Sequence, residues 1–419
     1  MKISGTFKRV CFLLVVVAVF LVPGCRKQQG DETIKIGMIF PFSGANADQG
    51  DFNRNGGELA MDRINAAGGI RSLGGKKIEL VFYDNQSSSD MSRVVAERLL
   101  FEHPEIVAVH GAAASAFVLP MLAAFERASM PFLTAQTAQT ITGQGYQYVF
   151  AFAAQSPQFA GAQVAMLDWL NSEIGVGVTR VGLVYEDSEW GITNSQAARD
   201  VIQKHPNLTL VFDQSYQPAG SDLSPIVLGL MNSGAEVVFP TSYTQDAMLL
   251  FNTMYQFEYS PLIVGGGAGF LYPVFADALG GLVEGVLSVA SHNYDAATIM
   301  NNPALAGVSQ EYEARFKEIM PEQAVSAFNA IYLVAQALEN TGSTDHTKLR
   351  DELRRLTISS LTPGGSLQFD QTGWNQNGAA VMIQWQKDAA GKFRPRTVYP
   401  PSEAAVDFQL TDMLRKKIN

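Results

Sequence analysis

The stretch IKIGMIFPFSGANADQGDFNRNGGELAMDRINAAGGI, Ile34 to Ile70, decides the fold. Its opening "IKIGMIF" is an apolar run of strand length that stops at Pro41, Ser43 and Gly44, the pattern of a buried strand. "RNGGELAMDRINAAGG" then reads as a helix. Gly56, Ala60 and Ile64 recur at four-residue spacing with Leu59 beside them, and Gly68 and Gly69 stop the turn.

The alternation continues with strand "KIELVFYD", helix "MSRVVAERLLFE", strand "IVAVHG", helix "AFVLPMLAAFERAS" and strand "PFLTA". After a bridge near Phe150 to Pro157 it restarts. Helix "FAGAQVAMLDWL" and strand "RVGLVYE" lead into helix "TNSQAARDVIQKH", strand "LTLVFDQ", helix "DLSPIVLGLMNSG", strand "EVVFPTS", helix "QDAMLLFNTMYQF" and strand "PLIVGG". Strands alternating with helices give parallel sheets covered on both faces, so the fold class is α/β with two doubly wound parallel-sheet lobes in series. The remaining elements are strand "GVLSVASH", helices "EQAVSAFNAIYLVAQALENTG" and "HTKLRDELRRL", and a strand pair "SLQFDQTG" and "AAVMIQWQ". They are too few for a third core and must complete the two lobes, so the chain crosses between lobes more than once. Ligands in such folds bind outside the carboxyl ends of the strands, here in the cleft between lobes.

The chain begins with Lys2, Lys8 and Arg9 ahead of a 13-residue apolar run, Val10 to Val22. That run is short of the roughly 20 residues of a membrane span and has a secretory signal layout. The following "PGC" resembles the lipobox of bacterial lipoproteins, with Pro23 where Ala or Ser is commoner; an ordinary signal peptide with an incidental cysteine is the plainer reading. Cleavage after Gly24 makes Cys25 the lipid-bearing N-terminus and Arg26 to Glu32 a tether. Of the 30 Lys and Arg residues 27 then remain, against 40 Asp and Glu. Such an acidic chain is not built for nucleic acid or an anionic membrane surface. Its two cysteines are Cys11, lost with the signal, and Cys25, so the mature chain has no internal disulfide.

Catalytic patterns are missing. His103, His110, His205, His292 and His346 have no metal-ligand spacing. No Gly-x-Ser-x-Gly elbow or phosphate loop occurs. "VGGGAGF" lacks the full dinucleotide glycine spacing, and the carboxylates Glu186, Asp187 and Glu189 read as a solvated loop. No cofactor is expected.

At this point the residues carry a family. The opening stretch resembles that of the periplasmic solute-binding proteins of branched-chain amino-acid and amide ABC transporters, with its Pro-x-Ser-Gly turn, Asn-Gly and Ile-Asn-x-x-Gly-Gly-Ile. "ELVFYDNQSSS", "GAAASAFVLPMLAAFERASMPFLTAQTAQTIT", "GLVYEDSEWG", "SAFNAIYLVAQALENTG" and "GGSLQFDQTG" follow in family order. The resemblance implies a type I periplasmic binding fold whose lobes, joined by a three-crossover hinge, close over a ligand. The expected division is signal 1–24, tether 25–32, lobe 1 at 33–152 plus 291–365, lobe 2 at 153–290 plus 366–405, and a tail at 406–419. The implied role is capture of a small amino acid, amide or carboxylate by a monomer outside the cytoplasm, for a membrane permease and its ATPase subunits. A ligand sensor acting on a receptor is the rival reading, and an enzyme the third.

Matched position by position, the family loop whose serine meets the ligand carboxylate falls on Ala113, Ala114 and Ser115. The Ser-x-x-Ala-Thr loop falls on Ala135, Gln136 and Thr137, one residue shorter. Trp190 and Tyr243 stand at ligand-facing tyrosine positions, with ordinary aromatic packing as the other reading. Gln49 occupies a position that is often aromatic, or else a solvated turn. Gly266 and Gly267 stand where amino-acid binders place a glutamate against the ligand's ammonium. Either another acid, Asp187 or Asp246, takes that role, or the ligand has no ammonium; Asp246 also suits a helix N-cap. The lipid anchor is checked by growing cells on labelled fatty acid: the wild-type chain is expected to take up label, and Cys25→Ala to lose both the label and the membrane.

Overall fold

The computed structural model describes residues 33–220, 222–359 and 365–410. The expected signal, the tether with Cys25, and the end of the tail from 411 lie outside the described residues. The strands are β1 (Ile34–Phe40), β2 (Ile78–Asp84), β3 (Ala108–Gly111), β4 (Phe132–Thr134), β5 (Val149–Ala151), β6 (Arg180–Glu186), β7 (Thr209–Tyr216), β8 (Val237–Thr241), β9 (Leu262–Gly265), β10 (Leu287–Ala290), β11 (Thr357–Ser359), β12 (Ser366–Gln368), β13 (Val381–Lys387) and β14 (Phe393–Tyr399). The helices are α1 (Ala47–Ala66), α2 (Ser89–Glu102), α3 (Ser115–Arg127), α4 (Ser156–Trp169), α5 (Glu189–Lys204), α6 (Ser224–Ser233), α7 (Thr244–Gln256), α8 (Pro273–Leu279), α9 (Ala297–Met300), α10 (Pro303–Phe316), α11 (Glu322–Thr341) and α12 (His346–Arg355).

Two sheets organise them. The first is five-stranded in the order β2-β1-β3-β4-β5, with every pairing parallel. The second runs β14-β13-β10-β9-β8-β6-β7. Its β7-β6-β8-β9-β10 part is parallel and repeats the first sheet's order, and β13 and β14 extend it antiparallel. Residues of both sheets are buried on both faces, as parallel strands between helix layers must be.

Three differences from the sequence reading have physical causes. Helix α1 begins at Ala47 rather than Arg54, because its added turns bury Gln49 and Asn53 as well as Phe52. Polar residues on the inner face hide the apolar period. "SLQFDQTG" and "AAVMIQWQ" do not pair with each other: β12 pairs with β11, while β13 lies between β10 and β14. Strand β14, "FRPRTVY", carries two arginines and Pro395, the composition of an edge strand, and so escapes apolar patterning. The expected lobe limits at 291 and 365 also cut through bonded structure. Asn293 and Asp295 bond to Thr397, and Thr298 to Glu403, on the second sheet's side. Trp374 bridges to Ala151 of the first sheet. In the tail, Gln409 exchanges hydrogen bonds with Gln384 of β13.

Helices α1 and α11 lie against each other over the first sheet. Gly56 makes this contact possible, since a Cβ there would meet the Ala324 carbonyl oxygen at 1.9 Å. Between α11 and the sheet sits His110, buried between the rings of Phe40 and Phe152 at 5.0 and 5.8 Å. Its Nδ1 donates to the Leu133 carbonyl at 2.9 Å, leaving Nε2 to accept from Ser326 at 3.3 Å. Burial pushes this imidazole down to about 4.

Two outcomes follow for stability. Gly56→Ala is expected to cost about 2–3 kcal/mol in urea unfolding by overpacking, because the obstacle is backbone. Its neighbour Gly57→Ala, opposed by the ends of Met38 and Leu80, costs less. As pH falls from about 6.5 to about 4, the unfolded chain takes up a proton that native His110 refuses. Stability is therefore lost across that window, by up to about 3 kcal/mol, and His110→Gln removes that part of the slope.

Candidate functional site

In each sheet one strand has its successors on opposite sides: β1 lies between β2 and β3, and β6 between β7 and β8. The loops leaving neighbouring strands there diverge and open a crevice at the carboxyl ends. The two crevices meet. Tyr243, after β8, packs against the apolar group of the first sheet that includes Ala112, Ala114 and Phe117. Helix α3 touches α5, and the Thr140 hydroxyl donates to Glu189 at 2.8 Å. The rings of Phe52 and Tyr272 approach to 5.2 Å.

From the first sheet, Ala113, Ala114 and Ser115 are buried at the start of α3, which no side chain caps. The Ser115 Oγ has no protein partner. A buried hydroxyl beside uncapped N–H groups is a site for an anion. After β4, Thr137 Oγ1 is likewise buried and unpartnered, although the Thr137 carbonyl accepts from Ser156. Gln136 is committed, donating to the Ala112 carbonyl at 2.8 Å and tying this loop to the one after β3. Ala135 faces a different space, a cavity of about 20 Å³ shared with Phe152, Ser291, Glu322 and Gly378. Gln49 is not a turn residue; it is buried in the first turn of α1, 3.4 Å from Gln323, which also accepts from Asn53.

From the second sheet, Trp190 is buried in the first turn of α5 and its ring lies 4.8 Å from that of Tyr243. Gly267 follows β9 at φ 102°, where any L side chain is strained, and a Cβ there would point at Phe159. Its N–H donates to Ser288. Of the nominated acids, Asp187 is exposed and accepts from Gln217 at 2.8 Å. Asp246 is no N-cap. It occupies the third position of α7 and accepts the Ala219 N–H at 3.1 Å, bracing the loop after β7.

The sequence reading missed two residues. Glu186 was grouped with a solvated run, yet it is fully buried as the last residue of β6. Burial, and then the nearby Asp246, push its carboxyl up to about 8; Ser188, donating at 2.5 Å, and the Tyr243 N–H pull it back only in part. Its place directly after the apolar run Val181 to Tyr185 was the available signal. Tyr272 is buried beside Glu322, Asp48, Gln323 and Tyr243. Nothing in the pattern of its own segment marks it.

Among the described residues no group of His, Cys, Asp and Glu is arranged to hold a metal. The "VGGGAGF" segment makes only a one-turn helix, Ala268–Phe270, too short to cradle a phosphate. An 820 Å³ cavity lined by Phe251, Tyr259, Ile263 and Leu410 opens at the amino ends of β9 and β10, the wrong end of the sheet for the crevice.

Comparison with known proteins agrees with this geometry. The model of the periplasmic binding protein family matches residues 33–391. Leu/Ile/Val-binding protein homolog 8 of Brucella abortus is 30% identical over 385 residues, covering 88% of this chain and 91% of the relative. Homolog 7 from the same organism is 29% identical over 388 residues, 90% of this chain and 94% of the relative. Among solved structures, LivJ of Streptococcus pneumoniae, in complex with isoleucine, has a TM-score of 0.74 at 22% identity, covering 88% of this chain and all of its own. A solute-binding protein of Rhodopseudomonas palustris in complex with 3,4-dihydroxybenzoic acid also scores 0.74, at 17% identity, over 90% of this chain and 98% of its own. The relatives are named as binding proteins and the two solved structures as substrate- or solute-binding proteins of transporters; none is named as an enzyme. The chain belongs to the periplasmic binding protein family, with the α/β type I fold.

Proposed function

We propose that this chain is the ligand-capturing component of an ABC importer, held outside the cytoplasm by a lipid on Cys25. It encloses a small amino acid, amide or carboxylate between lobes corresponding broadly to 33–152 with 291–365 and 153–290 with 366–405. The observation that carries the reading is the pair of buried, unpartnered hydroxyls of Ser115 and Thr137 beside the uncapped start of α3. Together they suit the carboxylate of a small ligand, whose oxygens accept from hydroxyl and backbone donors. Ala113 and Ala114 let the ligand approach that backbone closely. From the facing lobe Trp190 and Tyr243 supply an apolar wall, and Gln49, buried with Asn53 and Gln323, is offered as a further polar contact.

The named ligands of the relatives bracket the chemistry: a branched-chain amino acid on one side and an aromatic carboxylate on the other. All carry a carboxylate, in keeping with Ser115. Transfer to a permease and its ATPase subunits follows from the family's role in transport. Among the described residues no helix is long and apolar enough to cross a membrane, so membrane attachment in this reading falls to Cys25.

The test is calorimetric titration after unfolding and refolding to strip carried-over ligand, against leucine, its deaminated carboxylate and a short-chain amide. At least one is expected to bind in the micromolar range or tighter, with Ser115→Ala weakening binding by about tenfold or more, the effect of losing a hydrogen bond to a charged group. Binding that survives Ser115→Ala and Thr137→Val unchanged would put the ligand elsewhere.

A further inference from the structure

We infer that Glu186 pairs with an ammonium group on the ligand, making the captured molecule an α-amino acid rather than a simple carboxylate or an amide. The inference rests on the reading of the crevice as the ligand site. Three observations lead to it.

First, Glu186 is fully buried with half of its hydrogen-bonding capacity unused. Oε1 accepts from Ser188, whereas Oε2 makes no hydrogen bond of good geometry. Second, its surroundings hold acid and no base. The groups around its charge are Ser188 at the start of α5, the Tyr243 N–H and Asp246 of α7, and the Tyr216 hydroxyl at the end of β7. None is cationic. A buried carboxylate with a second acid behind it is strongly disfavoured, and the remedy is either a proton or a cation brought in from outside. Third, it lies next to a residue that reaches across to the first sheet. Tyr243, beside Glu186, packs with Trp190 on one side and with the Ala112–Phe117 region on the other, and that region leads directly into Ser115. A carboxylate at the start of α3 and an ammonium at the end of β6 place the two charges of a zwitterion on opposite lobes.

Other acids are excluded by their bonding. Asp187 is exposed, Asp246 braces Ala219, and Glu322, which accepts both the N–H and the hydroxyl of Ser291 on one oxygen, is only half-buried and belongs to α11 at the crossing between sheets, not to the end of β6. Position 267 cannot carry an acid without strain, because its backbone is at φ 102°. Glu186 is left as the buried carboxyl with an idle oxygen at the carboxyl end of the second sheet.

The experiment is isothermal titration of the purified full chain at pH 7 with leucine and with 4-methylpentanoate, which is leucine without its amino group. It is repeated in phosphate and in Tris, whose different protonation enthalpies reveal proton release. Because Glu186 titrates near 8, leucine is expected to bind with release of approaching one proton, and more than about a hundredfold tighter than 4-methylpentanoate. Glu186→Gln is expected to abolish proton release and weaken leucine by about a hundredfold, while sparing 4-methylpentanoate. Glu186→Asp, which keeps the charge one methylene short, retains proton release with intermediate affinity; its melting curve and that of Glu186→Gln report whether each variant folds. Equal binding of the two ligands, leucine binding unaffected by Glu186→Gln, or a panel in which only carboxylates or amides bind would overturn the inference and leave the binding-protein reading standing. If no amino acid, amide or carboxylate in the panel binds the wild-type chain, both fail.

Discussion

A hydroxyl taken out of water without a partner costs about 1–3 kcal/mol, and the seam between the two sheets buries several. Ser115 and Thr137 from the first sheet, and Thr244 and the Asn194 carbonyl from the second, have no protein hydrogen bond there. Groups this expensive are rare in protein interiors and call for a reason. Here they collect where β3 and β4 end on one side and where β6 and β8 end on the other. The scaffold that fixes them is ordinary: two parallel sheets of the same strand order, with helices packed as closely as Gly56 against α11 permits. Its rigidity keeps the polar groups from relaxing onto one another.

The segments that join the sheets are built differently from the sheets. Phe152 to Ala154, Ser291 with His292, and Gly378 with Ala379 converge around Glu322, at the first turn of α11, and enclose a space of about 20 Å³. Burial pushes Glu322 up to about 7, while the hydroxyl and N–H of Ser291 pull the other way. The carboxyl therefore ties one crossing segment to the helix that backs the first sheet. Most residues in these crossings are small, so modest backbone rotations there meet little steric resistance, the property wanted of a hinge.

Much of this was legible in the sequence, and each failure has a physical cause. Apolar periodicity located β1 to β4, β6 to β10 and helices α1 to α7, where apolar faces are buried, but passed over β5, α8, α9 and α10. It failed where burial is polar. Gln49 and Asn53 hid the first turns of α1, and Glu186 passed for a solvated loop residue although the buried run Val181 to Val184 of its own strand precedes it. It failed again at β14, where charge and Pro395 mark an edge, and at the pairing of β12, which depends on contacts across the fold. Family likeness supplied the candidate positions, and geometry then separated them. Ser115 and Thr137 retain free hydroxyls, whereas Gln136 is tied to a neighbouring loop and Ala135 turns toward the crossings. A pattern of residue types cannot make that separation, because hydrogen bonding within the fold decides it.

Closure and recognition then have a common origin in the proposed reading. Moving two lobes from 1% to 99% closed takes a differential of about 5.5 kcal/mol between the two states. Two or three buried hydroxyls that lack partners when closed, at about 1–3 kcal/mol each, span that amount. A molecule that satisfies them removes the penalty only in the closed arrangement, where groups from both sheets reach it at once. A molecule that satisfies one lobe alone binds without favouring closure. The aromatic contact of Trp190 with Tyr243, and of Tyr243 with the first sheet's apolar group, is non-directional and favours closure around any ligand of suitable size. Selectivity must therefore come from the polar groups, and the acid at the end of β6 is the one whose charge state depends on what it meets.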